Sequence, residues 1–292
     1  MAVWELALQQ VINGLLNGGI YAVASLGLMI TWGVLRLVNV AHGEFIMLGA
    51  YAFYWPLVLL KMESPGLLIS LSMVPPLLVG VLLAASTYLL FIRRVMAMDP
   101  LTSLLSLFGL SLILINIAIM LWDVDVRGVP LHLGSLQIGG FVLIVTRLLG
   151  FLAALAAVGL LFLLLYRTYP GRAMRAIMQN RRAAALVGIN MERYYFYAFM
   201  LGTVLATFSG SLASIAVAHV DPFMGAAFTV KAFAVVLLGG LSNPPYVLIW
   251  ALLFGVIEAV FASLLNPMFS TALPLILMIA AVAWWGARLY GR

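Results

Sequence analysis

From Leu6 onward the sequence is a succession of apolar stretches, most of them twenty residues or longer, and nearly all of its charge sits in the short joints between them. One helix of that length matches the hydrocarbon thickness of a bilayer, and inside a bilayer every backbone N–H and C=O must be satisfied within its own segment. The pattern therefore predicts an all-α fold, a polytopic transmembrane helical bundle. A hydrophobic share of 65%, a charged share of 8% and a mean hydropathy of +1.18 exclude a soluble globular domain. No cysteine is present, so disulfides, a thiol nucleophile and thiolate metal ligands are excluded too.

Nine segments can be traced, at about 6–35, 41–60, 66–92, 101–122, 141–166, 194–218, 222–241, 244–265 and 272–289. The seventh is ambiguous, because Lys231 lies in its middle and Gly239 and Gly240 close it, so eight to nine membrane segments with broken or re-entrant helices are expected. The first lacks a preceding basic residue and is too long for a signal peptide, so it should remain as a helix. If all nine cross, Arg36, Arg93, Arg94, Arg288, Arg292 and six arginines between 167 and 193 share one side, which the positive-inside rule makes cytoplasmic. Lys61, Arg127 and the polar loop 123–140 fall on the other. Trp284, Trp285 and Arg288 mark an interface at the end of the last segment.

The stretch from Tyr166 to Arg193 holds Arg167, Arg172, Arg175, Arg181, Arg182 and Arg193 against one acid, Glu192. Pro170 and Gly171 suggest a turn, 182–186 has strong helix-forming composition, and Gly188 suits a helix stop. A short helix on a cytoplasmic loop is a handle for a partner protein, or an interfacial helix touching anionic lipid.

The run GRAMRAIMQNRRAAALVGIN resembles the cytoplasmic coupling loop of permease subunits from branched-chain amino acid ABC importers. NVAHGEFIMLGAY at 39–51 and KAFAVVLLGGL at 231–241, with Glu258 downstream, resemble the same family, so the likeness covers nearly the whole chain. Two departures stand out: Asn180 and Arg182 occupy positions where acids are usual, and SNPPYVLIWA at 242–251 replaces a more glycine-rich segment. The resemblance implies a single permease domain over 1–292 with its coupling loop at about 167–193, in the bacterial or archaeal plasma membrane. It implies two separate ATPase subunits, an external solute-binding protein and a second related permease, as a heterodimer or else a homodimer. The coupling residues would be Gly171, Arg172, Arg175, Arg181, Arg182, Ala183, Ala184, Ala185, Leu186, Gly188 and Ile189. Substrates of this family and its relatives include branched-chain amino acids, amides and urea.

An inverted repeat is suggested by aligning 40–51 with 217–228 without a gap, which gives five identities and matches His42 with His219 and Glu44 with Asp221. Transporters built on inverted repeats place broken helices at the substrate path. Ala41 to Glu44 and His219 to Pro222 are then candidate breaks before helix starts, facing each other, or else ordinary helix ends at the interface. Lys231 at mid-span would cost roughly 2.5 to 3.5 kcal/mol on the insertion scale, so it needs a partner, and Glu258 lies at a similar depth. Arg147 can snorkel outward. The candidate substrate path therefore comprises Asn39, Ala41, His42, Gly43, Glu44, His219, Asp221, Lys231 and Glu258. No catalytic constellation and no metal cluster is evident. Neither Lys61 nor Lys231 sits in a phosphate-binding loop, so no cofactor is expected on this chain and ATP would be bound by partner subunits. A proton-coupled transporter using His42, Glu44, Lys231 and Glu258 as a relay is the rival from another class.

Overall fold

The computed structural model describes residues 3–60, 64–131, 133–138, 140–264, 272, 275–280 and 283. Its centre is α1 (Val3–Leu35), whose most apolar stretch is 94% buried within the chain itself. At about 1.5 Å per residue this helix is about 50 Å long and must tilt to fit a bilayer. It is followed by α2 (His42–Leu60), α3 (Pro65–Val95), α4 (Pro100–Trp122) and α5 (Val145–Arg167). The short α6 (Tyr169–Gln179) and α7 (Arg181–Leu186) follow, then α8 (Met191–Val217), α9 (Met224–Gly239) and α10 (Pro244–Leu264). α1 packs against α5, α8, α9 and α10, while α4 and α5 turn mostly apolar, exposed faces outward, as lipid requires.

Among the described residues seven helices are long and apolar enough to cross a membrane: α1, α2, α3, α4, α5, α8 and α10. The seventh apolar stretch of the sequence becomes α9, 16 residues and so about 24 Å long, short of a hydrocarbon core of about 30 Å. The last stretch, with Trp284, Trp285, Arg288 and Arg292, falls largely outside the described residues. Helix α5 starts at Val145 and not at 141, because Phe141–Ile144 (β3) pairs with Ser135–Ile138 (β2) as a hairpin turned through Gly140 at φ +89°. A second small ladder joins Arg127–Gly128 (β1) to His219–Val220 (β4). The loop 123–140 is thus folded against the chain.

Close helix crossings depend on missing side chains. Gly14 and Gly18 lie one turn apart on α1, and a Cβ at either would stand 2.5 Å and 2.8 Å from the α10 backbone at Val256 and Leu252. Without a hydrophobic force between helices in lipid, such close approach supplies the packing. Pro244 and Pro245 open α10, where a missing N–H does no harm, so the departure noted at 242–251 is compatible with a well-packed helix.

The inverted repeat is present in a different register from the one the sequence suggested. α1 ends at Leu35 and α8 at Val217; a residue of positive φ follows each, Arg36 at 57° and Ala218 at 59°; the next helices start at His42 and Met224. Leu35 therefore corresponds to Val217, where the gapless alignment had put Val40, five residues late. The helices run in opposite directions, since Gly27 of α1 meets Gly202 and Leu205 while Asn17, Ile20 and Tyr21 share a cavity with Ala213, Ala216 and Val217. At the pseudo-twofold the starts of α2 and α9 touch: a Cβ on Gly225 would lie 2.5 Å from the Gly43 oxygen, and one on Gly43 would overlap the Gly225 oxygen. His219 precedes its helix by five residues, so it is not the equivalent of His42.

Candidate functional site

Lys231 is held inside the bundle as its cost requires. Its Nζ is 2.7 Å from Glu258 Oε1, donates to the Tyr21 hydroxyl at 3.0 Å, and lies over the rings of Tyr21 at 4.9 Å and Phe228 at 5.6 Å. The ion pair expected from depth alone is formed, and it ties α9 to α10. Tyr21, which links both to α1, was not foreseen; a tyrosine in an apolar stretch carries no insertion penalty large enough to demand attention.

The amine forms the floor of a cavity of about 400 Å³ between α1, α5, α8 and α9. Arg147, His219 and Asp221 line its mouth, on the side of the β1–β4 ladder and away from the arginine-rich end. Arg147 does not simply snorkel: its Nε donates to the Ala216 oxygen at 3.1 Å, fixing the guanidinium between α5 and α8. Asp221 Oδ1 accepts from Phe223 N at 2.8 Å, and its Oδ2 stands 3.8 Å from His219 Nε2. Three predicted path residues, His219, Asp221 and Lys231, thus meet in one cavity with Glu258 behind.

The other predicted group is sealed. Asn39, Ala41, His42 and Glu44 are at most 3% exposed. His42 Nε2 donates to the Ala24 oxygen at 3.0 Å, which leaves Nδ1 as the bare acceptor; among the described residues it has no partner, and neither do Glu44 Oε2 nor the Asn39 amide. These groups cluster where the chain returns from Arg36 to the middle of α1 and starts α2. Gly43 closes the site by its contact with Gly225 and Thr229.

At the opposite end, α6 and α7 form a short elbow. Thr168, Asn180 and Asn190 cap α6, α7 and α8, accepting from Gly171 N, Ala183 N and Arg193 N. Asn180 thereby does what an aspartate would do there. Pro170 and Gly171 belong to the first turn of α6 and not to a preceding turn, and Gly171 is pressed against Leu164 and Leu165 of α5. Ala184 faces the bundle at 3% exposure, whereas Leu186 and Val187 stand out at 88% and 76%, with Gly188 ending the helix at φ +83°. Arg172 and Arg182 are exposed. Arg175 donates to the Leu165 oxygen and stacks on Tyr166. Arg181 Nη2 donates to the Val34 oxygen at 2.6 Å and its guanidinium lies 5.1 Å over Tyr195, while Arg36 Nη2 donates to the Met178 oxygen at 3.1 Å. Burial holds Arg181 below the usual arginine value. These two crossed straps lash the elbow to the end of α1 and the start of α8.

Among the described residues no group of three His, Cys, Asp or Glu is placed to hold a metal ion. Comparison with known proteins adds three findings. Residues 10–282 match the family model described as the branched-chain amino acid transport system permease component. The chain is 27% identical to the high-affinity branched-chain amino acid transport system permease protein BraD of Pseudomonas aeruginosa, over 98% of this chain and 96% of that one. It is 29% identical to LivH of Salmonella typhimurium over the same shares, and 26% identical to the probable LivH of Methanocaldococcus jannaschii over 95% and 91%. No solved structure matches it.

Proposed function

The chain belongs to the branched-chain amino acid transport system permease family, and from that premise we propose that it is the membrane-spanning subunit of an ABC importer that carries branched-chain amino acids across the plasma membrane. ATP is hydrolysed by separate subunits that grip the elbow, and an external binding protein delivers substrate to the cavity mouth beside β4. A second, related permease subunit completes the path.

One observation supports this reading above the others: the elbow is mechanically continuous with the repeat. Leu186 and Val187 offer an apolar tip for a partner, and Arg181 and Arg36 transmit its displacement to the end of α1 and the start of α8. A rocking of these helices would part the Gly43–Gly225 contact and join the sealed group around His42 and Glu44 to the outer cavity, opening the path by rigid-body motion. Gly171 and Ala184 shape the elbow; Arg172, Arg182, Ala183, Ala185, Leu186, Gly188 and Ile189 supply the surface around it.

The chain has no native cysteine, so a single cysteine at Val187 gives an unambiguous probe. In native membranes it should crosslink to an ATPase subunit, and the assembled complex should take up leucine only with ATP. Capture of lipid alone, or uptake against a gradient by the isolated chain in vesicles, would overturn the proposal. The second outcome would favour the proton-coupled reading.

A further inference from the structure

We propose that the outer cavity is a receptor for the α-amino and α-carboxylate groups of its substrate, with Arg147 taking the carboxylate and the His219–Asp221 pair taking the ammonium. This rests on the importer reading and assigns the chemistry that reading leaves open. The first observation concerns where protons sit. His219 Nδ1 is 3.0 Å from the Val217 oxygen. A carbonyl only accepts, so a neutral ring carries its proton on Nδ1 and turns a bare lone pair at Nε2 toward Asp221 Oδ2, 3.8 Å away. With the ring in that neutral form, two acceptors face each other across a gap that a third group with several donors can bridge, and an ammonium has three. Asp221 is held in place for this by Phe223 N on its other oxygen.

The second observation concerns charge. Lys231 is neutralised by Glu258 within the bundle, so it contributes no free cation to the cavity. Arg147 is tethered only through Nε, and among the described residues its two terminal nitrogens have no protein partner. A guanidinium fixed in this way presents donors in the geometry that a carboxylate accepts. The cavity thus holds one uncompensated cation and one weakly compensated anion, which is the complement of a zwitterion. The third observation is the wall: Ile20, Phe223, Met224 and Phe228 give an apolar surface beside these groups, suited to a branched aliphatic side chain. At about 400 Å³ the space lies in the range of roughly 300–1,000 Å³ usual for small-molecule sites. Urea and simple amides lack the separated charges that this arrangement matches.

The test uses the complete transporter in nanodiscs and three radiolabelled probes: L-leucine, isopentylamine, which lacks the carboxylate, and 4-methylpentanoate, which lacks the ammonium. Asp221→Asn should weaken leucine and isopentylamine binding about tenfold to a hundredfold and spare 4-methylpentanoate. Arg147→Gln should do the reverse, weakening leucine and 4-methylpentanoate and sparing the amine. Should Arg147→Gln fail to assemble, Arg147→Lys keeps the cation and should weaken the two carboxylate probes selectively. Variants that affect all three probes alike, or none of them, overturn the site. ATP-driven leucine uptake by the unmodified complex is read in parallel. Its absence overturns the importer reading, whereas uptake with an unchanged probe pattern in the variants overturns only the receptor.

Discussion

Removing both members of the Lys231–Glu258 pair should destabilise the subunit no more than removing either one. At 2.7 Å and an effective dielectric constant of about 20, two unit charges attract by roughly 6 kcal/mol. Desolvation offsets much of this, because the side chains keep only 18% and 14% of their exposure. A net coupling of about 3 kcal/mol remains, the scale of buried pairs elsewhere. Lys231→Met and Glu258→Gln should each cost about 3 kcal/mol, and the double variant also about 3, in place of the roughly 6 expected for independent sites. Tyr21→Phe removes one hydrogen bond and leaves the ring under the amine, so it should cost about 1 kcal/mol. The assay is reversible unfolding in mixed micelles with increasing denaturing detergent, read by circular dichroism. If the double variant equals the sum of the singles within about 0.5 kcal/mol, the two groups do not act as a pair and the reasoning fails.

Three further outcomes follow from the geometry. Gly43→Ala and Gly225→Ala each drive a Cβ into backbone and should lose more than about 3 kcal/mol in the same assay, while Gly66→Ala, with open space around it, should shift stability by less than about 0.5 kcal/mol. Asp99 caps α4 through Leu101 N and Thr102 N, and hydrogen bonding at Thr102 holds its carboxyl below the usual 3.8. The stabilisation is therefore complete above that ordinary value and disappears as pH falls through the lower folded value; Asp99→Ala should melt earlier than the parent at pH 7, Asp99→Asn should not, and the gap should close in acid. Leu186→Asp with Val187→Asp puts charge on the elbow tip without touching the bundle, so the thermal unfolding of the isolated subunit should be unchanged while copurification with the ATPase falls at least about tenfold.

The sequence made some of this legible because certain residues carry a large energetic demand. A lysine in mid-span must find an acid, and so Lys231 points to Glu258 from the sequence alone. Tyr21 makes no such demand, and the aromatic face it gives the amine was invisible. Gly14 and Gly18 carried a small-xxx-small signal that could have placed α1 against α10. The repeat register was missed for a different reason. What the two copies share is a backbone turn, positive φ at Arg36 and Ala218, and neither residue advertises it as glycine would. Side-chain identity pulled the alignment five residues away, onto a chance match of histidines. Phe141–Ile144 read as the start of a membrane helix because a strand of apolar residues followed without a break by an apolar helix shows no change of composition; the Gly139–Gly140 pair was the only mark of the hairpin.

The two copies of the repeat are moored differently. The joint after α1 is strapped to the elbow at the arginine-rich end, and the joint after α8 is laced into the β1–β4 ladder at the opposite end. A duplicated fold has thereby become a lever with one arm tied to the elbow and the other to the β1–β4 ladder, and under the proposed mechanism a pull on the elbow would turn one half against the other instead of shifting the whole subunit through the lipid.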